Sequence, residues 1–155
     1  MPKAQKVATF LWFADQAEEA ATFYTSLFED AAIVSKMPGP GGKPMGVTFR
    51  LAGQEFIAFN GGPMYQLNEA ASLFVNCATQ AEVDDLWEKL TADGGSPSRC
   101  GWLKDRFGLS WQIVPDVLGK LLADPDREKA GRAMQAMMQM SKIDIAALQR
   151  AYDNA

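Results

Sequence analysis

No histidine occurs among the 155 residues of this chain. Its absence removes the commonest general base and the commonest transition-metal ligand together, so Ser-His-Asp, Cys-His and HExxH arrangements are excluded. Cysteine is nearly as scarce. Cys77 and Cys100 stand alone, without CxxC spacing, which suits two reduced thiols in a cytoplasmic protein and leaves a disulfide unsupported. Basic runs are missing too. The formal net charge is −4 and no stretch of Lys and Arg could neutralise phosphates, so nucleic acid and anionic membrane surfaces are disfavoured as partners. Nor is there a long hydrophobic run. The opening MPKAQKVATFLWF carries only a short apolar stretch before Asp15, too brief for a membrane span or a signal peptide.

What is present suits a single domain, residues 1–155, because 48% of the residues are hydrophobic and ample for a core. Val7 to Phe13 is a continuous apolar run of strand length, which places it in the interior of a sheet. Asp15-Gln16-Ala17-Glu18 has the form of a capping box, and Ala17, Ala20, Ala21, Tyr24, Leu27 and Phe28 then recur at helical spacing. Ala31 to Met37 reads as a strand, Pro38 to Gly42 as a loop, and Met45 to Leu51 and Glu55 to Phe59 as two strands joined by a tight turn at Ala52-Gly53-Gln54. The order is β, α, β, β, β. It begins again with a strand at Ser72 to Cys77, a second capping box at Thr79 to Glu82, and a helix whose stripe is Val83, Leu86, Trp87 and Leu90. The segment CGWLKDRFGLSWQIVP, from Cys100 to Pro115, closes the second set as a hairpin. Asp105-Arg106-Phe107-Gly108 is its turn, with Gly108 free to take a positive φ and Pro115 stopping the last strand.

The two sets are copies of one another. A shift of about 64 residues lays Phe10 on Phe74, Gln16-Ala17-Glu18 on Gln80-Ala81-Glu82 and Phe23 on Trp87. Past the helix the shift falls to about 55, placing Gly53 over Gly108 and Phe56 over Trp111, with the Pro38 to Gly42 loop accounting for the loss. The expected fold is therefore α+β, with βαβββ modules over about residues 7–60 and 71–115 and a helical extension over about 116–155. In that extension Asp124-Pro125 suggests an N-cap followed by proline at the first helical position, and Ala130, Ala133, Met134, Met137 and Met138 form an apolar face. Ser141 suggests the cap of a last helix with Ile145, Leu148 and Tyr152 in its stripe. Met134, Met137, Met138 and Met140 suit a core more than a partner groove.

These features carry a family resemblance. The paired βαβββ order, QAEEAATFYTSLF at Gln16 to Phe28, FNGGP at Phe59 to Pro63, the hairpin from Cys100 to Pro115 and QAMMQMSKIDIAAL at Gln135 to Leu148 closely resemble the PhnB-like branch of the vicinal oxygen chelate superfamily. That superfamily also holds glyoxalase I, the bleomycin resistance proteins and the extradiol dioxygenases, and the branch is often labelled 3-demethylubiquinone-9 3-methyltransferase. The resemblance implies a divalent metal held by four residues, one from the first and one from the last strand of each module, usually His, Glu or Gln. The positions that correspond here are Ala8, Ile57, Ser72 and Gln112. Ala and Ile carry no donor atom and neutral Ser is a poor ligand, so only Gln112 could bind through its carbonyl oxygen. No metal and no cofactor are expected. Val7, Thr9, Phe56, Ala58, Leu73 and Trp111, the neighbours in sequence, do not rebuild the site, and Met64-Tyr65 stands where relatives are expected to show a histidine.

What remains for the cavity of such a fold is aromatic and apolar. Trp12, Phe59, Trp102 and Trp111, with Asn60, Lys104 and Gln112 as polar groups, are the expected ligand-binding residues for a small, flat or apolar molecule. Asp105 and Arg106 read as solvated turn residues, Glu55 as exposed, and Asn60-Gly61-Gly62-Pro63 as a turn. Three classes stay open: a binding protein on the pattern of the bleomycin resistance proteins, a metal-dependent lyase, isomerase or dioxygenase, and the methyltransferase of the label. The last is opposed by the lack of an alternating βαβ run with a glycine-rich turn after its first strand. A homodimer is expected as well, with Met134, Met137, Met138 and Leu148 partly facing the second chain across a two-fold axis.

Overall fold

The computed structural model describes residues 5–154. The chain divides into two compact units, Met1–Leu67 and Asn68–Ala155. The first contains β1 (Thr9–Phe13), α1 (Ala17–Ser26), β2 (Ala31–Met37), β3 (Gly46–Leu51) and β4 (Gln54–Asn60), with one 3-10 turn at Pro40–Gly42 inside the expected loop. Its sheet has the order β1-β4-β3-β2, with β1 parallel to β4 and the other pairs antiparallel. Alternation along the strands sends Leu11, Phe13, Val47, Phe49, Leu51, Phe56 and Ala58 to one face. There α1 covers them with Ala17, Ala20, Ala21 and Tyr24, all fully buried. Three alanines on the contact stripe let the helix lie close to the sheet, and Tyr24 then reaches Phe49 at 6.0 Å between ring centroids. Phe49 stacks in turn on Phe56 at 5.3 Å. Burying side chains of this size is worth roughly 1.5–3 kcal/mol each, which makes this layer the main support of the unit.

Two sequence expectations are corrected here. The run from Val7 to Phe13 is not interior: β1 ends the sheet, pairs with β4 alone, and leaves Val7 78% and Phe10 55% exposed. An unbroken apolar run is the mark of a strand covered on both faces, and it misleads where one face stays open within its own unit. The capping box at Asp15 to Glu18 does not form, because Gln16 is the N-cap and makes no side-chain cap bond. Asn60, at the end of β4, supplies the missing acceptor: its Oδ1 takes the Ala17 N–H at 2.8 Å.

The second unit repeats the order with β5 (Ser72–Cys77), α2 (Gln80–Thr91), β6 (Ser96–Pro97), β7 (Trp102–Lys104) and β8 (Ser110–Pro115), in a sheet of order β5-β8-β7-β6. Its first strand again runs parallel to its last. Here the predicted cap forms. Thr79 Oγ1 accepts from the Glu82 N–H at 3.2 Å and Glu82 Oε2 accepts from the Ala78 N–H at 2.8 Å. The registers of the two sheets support the duplication, since Phe10 pairs with Ile57 as Phe74 pairs with Gln112.

The helical extension belongs to this unit as α3 (Asp116–Leu122), α4 (Arg127–Met138) and α5 (Ile145–Asp153). Val114, Leu118, Leu121, Ala133, Ile143 and Leu148 form its core, with Met137, Met140 and Tyr152 packed against it. Both expected caps shift. Asp124 Oδ1 accepts from the Asp126 N–H at 2.8 Å, carrying the chain past Pro125, and Asp126 then caps α4 through the N–H groups of Glu128 and Lys129. Ser141 donates instead to Ser98 O at 2.6 Å, and Asp144 caps α5 through the Ala147 N–H. Leu148 is fully buried and Met137 packs inside the unit, so neither belongs to an outer patch. Met134 and Met138 do, at 41% and 52% exposure.

Candidate functional site

Cross-strand partners share a face, and in the second unit this sets out a grid on the side of the sheet away from Trp111 and Ile113. One row runs Ser72, Ser110, Lys104 across β5, β8 and β7; the next runs Phe74, Gln112, Trp102. The first row is polar and the second presents two aromatic rings flanking an amide. Gln112 Nε2 donates to Ser72 Oγ at 3.0 Å, a bond that ties the two rows together diagonally. A cleft of about 210 Å³ opens beside the grid, lined by Glu69, Ser96, Ser98, Trp102, Lys104 and Ser110 among others. Lys104 Nζ forms an ion pair with Glu69 Oε1, and that lysine holds the Glu69 carboxyl below its ordinary range, through the hydrogen bond first. Ser110 is 1% exposed, and its Oγ has no hydrogen-bond partner among the described residues. A buried hydroxyl without a partner is rare, since its desolvation goes uncompensated.

The corresponding face of the first unit is more apolar. Phe10, Ile57 and Thr48 make one row, and Trp12, Phe59 and Gly46 the next. Phe59 meets Phe10 and Trp12 with both centroid distances at 5.3 Å, and Trp12 meets Tyr65 at 5.0 Å. Trp12 Nε1 donates to Gly62 O at 2.9 Å, and its ring lies so close to Gly61 that a Cβ there would come within 2.2 Å of it. FNGGP is thus a turn built around a tryptophan. On this face Glu55 pairs with Arg50 at 3.9 Å, and its side chain is only 12% exposed. The expectation that Glu55 is exposed is corrected: the turn beside it ends at Gly53, and on the strand its side chain is partly buried opposite Arg50.

Of the seven expected ligand-binding residues, Trp12 and Phe59 lie on the open face of the first sheet and Trp102, Lys104 and Gln112 on that of the second. Trp111 and Asn60 are placed apart from these two faces' open surface. Trp111 faces the opposite side, 1% exposed, with Nε1 donating to Asp105 Oδ2 at 2.9 Å. Asn60 spends its amide on backbone, taking the Ala17 N–H and giving its Nδ2 to Pro44 O at 3.0 Å. Asp105 is corrected too: it is 2% exposed, and its Oδ1 accepts from the N–H groups of Phe107 and Leu109 at 2.9 and 3.1 Å. Sequence reasoning passed over Ser110 and Glu69. The signal for Ser110 was a lone hydroxyl inside the apolar run from Leu109 to Val114; Glu69 left none, because its partner lies 35 positions away in sequence.

The donor chemistry does not fit a metal. Ile57 has no ligating atom, Ala8 precedes β1 and has none, and Ser72 and Gln112 are bonded to each other. Among the described residues no group of three His, Cys, Asp or Glu could hold an ion. Nor do the strand-to-helix turns fit an adenosyl cofactor: β1 enters α1 through Ala14-Asp15-Gln16 and β5 enters α2 through Ala78-Thr79, neither containing a glycine.

Comparison with known proteins agrees with the architecture. Residues 5–114 match the sequence model of the family described as 3-demethylubiquinone-9 3-methyltransferase, a span that leaves α3 to α5 outside it. A solved Bacillus cereus structure, described as a putative 3-demethylubiquinone-9 3-methyltransferase, PhnB protein, is 36% identical. It covers 72% of this chain and 99% of its own, with a TM-score of 0.67. A glyoxalase-related enzyme from Fulvimarina pelagi is 21% identical over 74% of this chain and 91% of its own, with a TM-score of 0.52, and shares the fold. The protein PA1353 from Pseudomonas aeruginosa, 19% identical over 73% of this chain and all of its own, does so with a TM-score of 0.59. No curated protein matches the sequence.

Proposed function

This chain belongs to the 3-demethylubiquinone-9 3-methyltransferase family, PhnB-like proteins of the glyoxalase/bleomycin resistance fold, and from that premise we propose that it binds a small aromatic or apolar molecule without a metal. The observation that carries the proposal is the Gln112 to Ser72 hydrogen bond, whose ladder partners Trp102 and Ser110 line the neighbouring cleft. At two of the positions where the resemblance implies metal ligands, this chain has an amide and a hydroxyl satisfying one another, with Trp102 and Phe74 on either side. Such a surface offers apolar contact and a few fixed polar groups, the usual make-up of a small-molecule site. It offers no Lewis acid of its own and no strongly basic side chain beyond Lys104, so binding is supported better than turnover. The family's descriptive name does not extend the proposal to methyl transfer, since neither strand-to-helix turn among the described residues is glycine-rich.

The test is an NMR titration of the full chain with neutral single-ring aromatics, benzamide among them, followed at the Trp102 indole, beside metal analysis after incubation with zinc, nickel or manganese. Saturable shifts at Trp102 with sub-stoichiometric metal are expected. A stoichiometric ion with Gln112 in its coordination shell would overturn the proposal. A saturable rise in melting temperature with S-adenosylmethionine would return the methyltransferase to consideration.

The same proposal places the protein in the cytoplasm as a homodimer. No helix among the described residues is long and apolar enough to cross a membrane, and free Cys77 and Cys100 suit a reducing compartment. Met134 and Met138 are the exposed apolar residues of α4 that support a two-fold contact. Light scattering at low micromolar concentration tests it, and a mass near 16.9 kDa would refute the dimer.

A further inference from the structure

We propose that the molecule taken up by the second unit is a flat carboxylate, whose anionic group replaces Glu69 on Lys104 and accepts a hydrogen bond from Ser110 while its ring lies along Trp102. The inference rests on the binding role proposed above and adds the chemical class of the ligand. Four observations carry it.

First, Ser110 lines the cleft between Ser72 and Lys104 in the ladder, and its buried hydroxyl has no partner among the described residues. A hydroxyl carries one proton to give and an ammonium three, so these adjacent residues of the cleft wall hold a pair of donors, the hydroxyl's still unspent. Second, the cation is the fixed member of the ion pair and the carboxylate the loose one. Lys104 stands on β7, paired with Ser110, whereas Glu69 belongs to the irregular segment before β5 and is 64% exposed against 39% for Lys104. An ion pair that open to solvent holds weakly, and a second carboxylate can exchange with it at little cost. Glu69 thus occupies the place a ligand's carboxylate would take.

Third, the aromatic surface lies beside the donors. Trp102 is two residues from Lys104 on the same strand and therefore on the same face. A ligand that extends from the donor pair along the strand direction meets the indole, and its ring gains the contact while its acid stays on the ammonium. Fourth, the size is limiting. At about 210 Å³ the cleft falls below the roughly 300–1,000 Å³ of drug-sized pockets, which restricts the body to about one ring. A cationic ligand is the poorer fit, because it would have to be held by Glu69, the exposed and unanchored partner, and would put like charge against Lys104.

Calorimetric titration of the full chain with benzoate, and with benzamide as its neutral isostere, tests the inference, with the Trp102 indole signal locating the site. Benzoate is expected to bind at least tenfold more tightly than benzamide. Glu69→Gln removes the competing carboxylate and should tighten benzoate severalfold relative to benzamide. Lys104→Met should erase the preference for benzoate, and Ser110→Ala should weaken benzoate severalfold. Glu69 is exposed, so its variant reports on binding without endangering the fold. Equal affinities for benzoate and benzamide in the wild type would overturn the carboxylate assignment and leave the binding role standing. Failure of both compounds to perturb Trp102 would overturn the two together.

Discussion

Replacing Asp105 tests whether the hairpin from Trp102 to Pro115 is held by a buried carboxylate. Its two oxygens accept from the N–H groups of Phe107 and Leu109 and from Trp111 Nε1, at 2.9, 3.1 and 2.9 Å. The bonds to Leu109 and Trp111 are themselves buried. Asp105→Ala would strand both donors. At about 1–3 kcal/mol for each buried group left unsatisfied, the loss should be on the order of 4 kcal/mol, a large share of the ~5–15 kcal/mol that stabilises an ordinary domain. Asp105→Asn keeps one oxygen and turns an amide donor toward Trp111 or toward the backbone, so about 2 kcal/mol should go. Trp111→Phe removes the donor instead and takes one hydrogen bond from a carboxylate in a site of 2% exposure. The double variant Asp105→Asn, Trp111→Phe should then cost less than the sum of the singles, by roughly 1 kcal/mol or more, because residues sharing a hydrogen bond couple. Urea unfolding followed by tryptophan fluorescence measures all four variants through the midpoint at unchanged slope. A loss below about 0.5 kcal/mol for Asp105→Ala, typical of a surface substitution, would refute the argument, as would strict additivity in the cycle.

Three other outcomes are expected. Asn60→Ala should destabilise the first unit by about 1–2 kcal/mol, since it uncaps α1 and frees Pro44 O, while benzoate affinity in the second unit stays as in the wild type; urea unfolding and calorimetry report the two parts. Gly61→Ala should push the Trp12 ring from its place, because the new Cβ would fall 2.2 Å from it, and the Trp12 indole proton, bonded to Gly62 O, should shift and exchange faster. Cys77 is fully buried, and burial above all, with Glu82 and Asp116 nearby, pushes its thiol up to about 12. Its raised value means that its contribution to stability is complete below the ~8.5 of a free thiol and is lost as pH rises toward 12. A disulfide reagent at pH 8 should therefore label Cys77 only on unfolding, and rapid labelling of native Cys77 would contradict this.

The sequence by itself determined whatever acts over a few neighbouring residues. Thr79 capping α2, the turn from Asp105 to Gly108 with φ of 92° at the glycine, and the β, α, β, β, β order all follow from local spacing and propensity. The duplication was legible for a related reason, because two copies of one module repeat the same local rules at shifts that the ladders then obey. Only the tertiary structure decided what depends on groups far apart in the chain. Asn60 takes over a cap 43 positions away, because the end of β4 arrives beside a helix whose own Gln16 makes no side-chain cap bond. Asp105 is buried and Glu55 partly so although both flank turns, since Asp105 meets Trp111 and Glu55 meets Arg50, partners that their own turn chemistry does not name. Trp102 and Trp111 have the same residue type and nearly the same context, yet one borders a cleft and the other fills a core, because adjacent ladder positions face opposite sides of a sheet and only packing selects which side is covered.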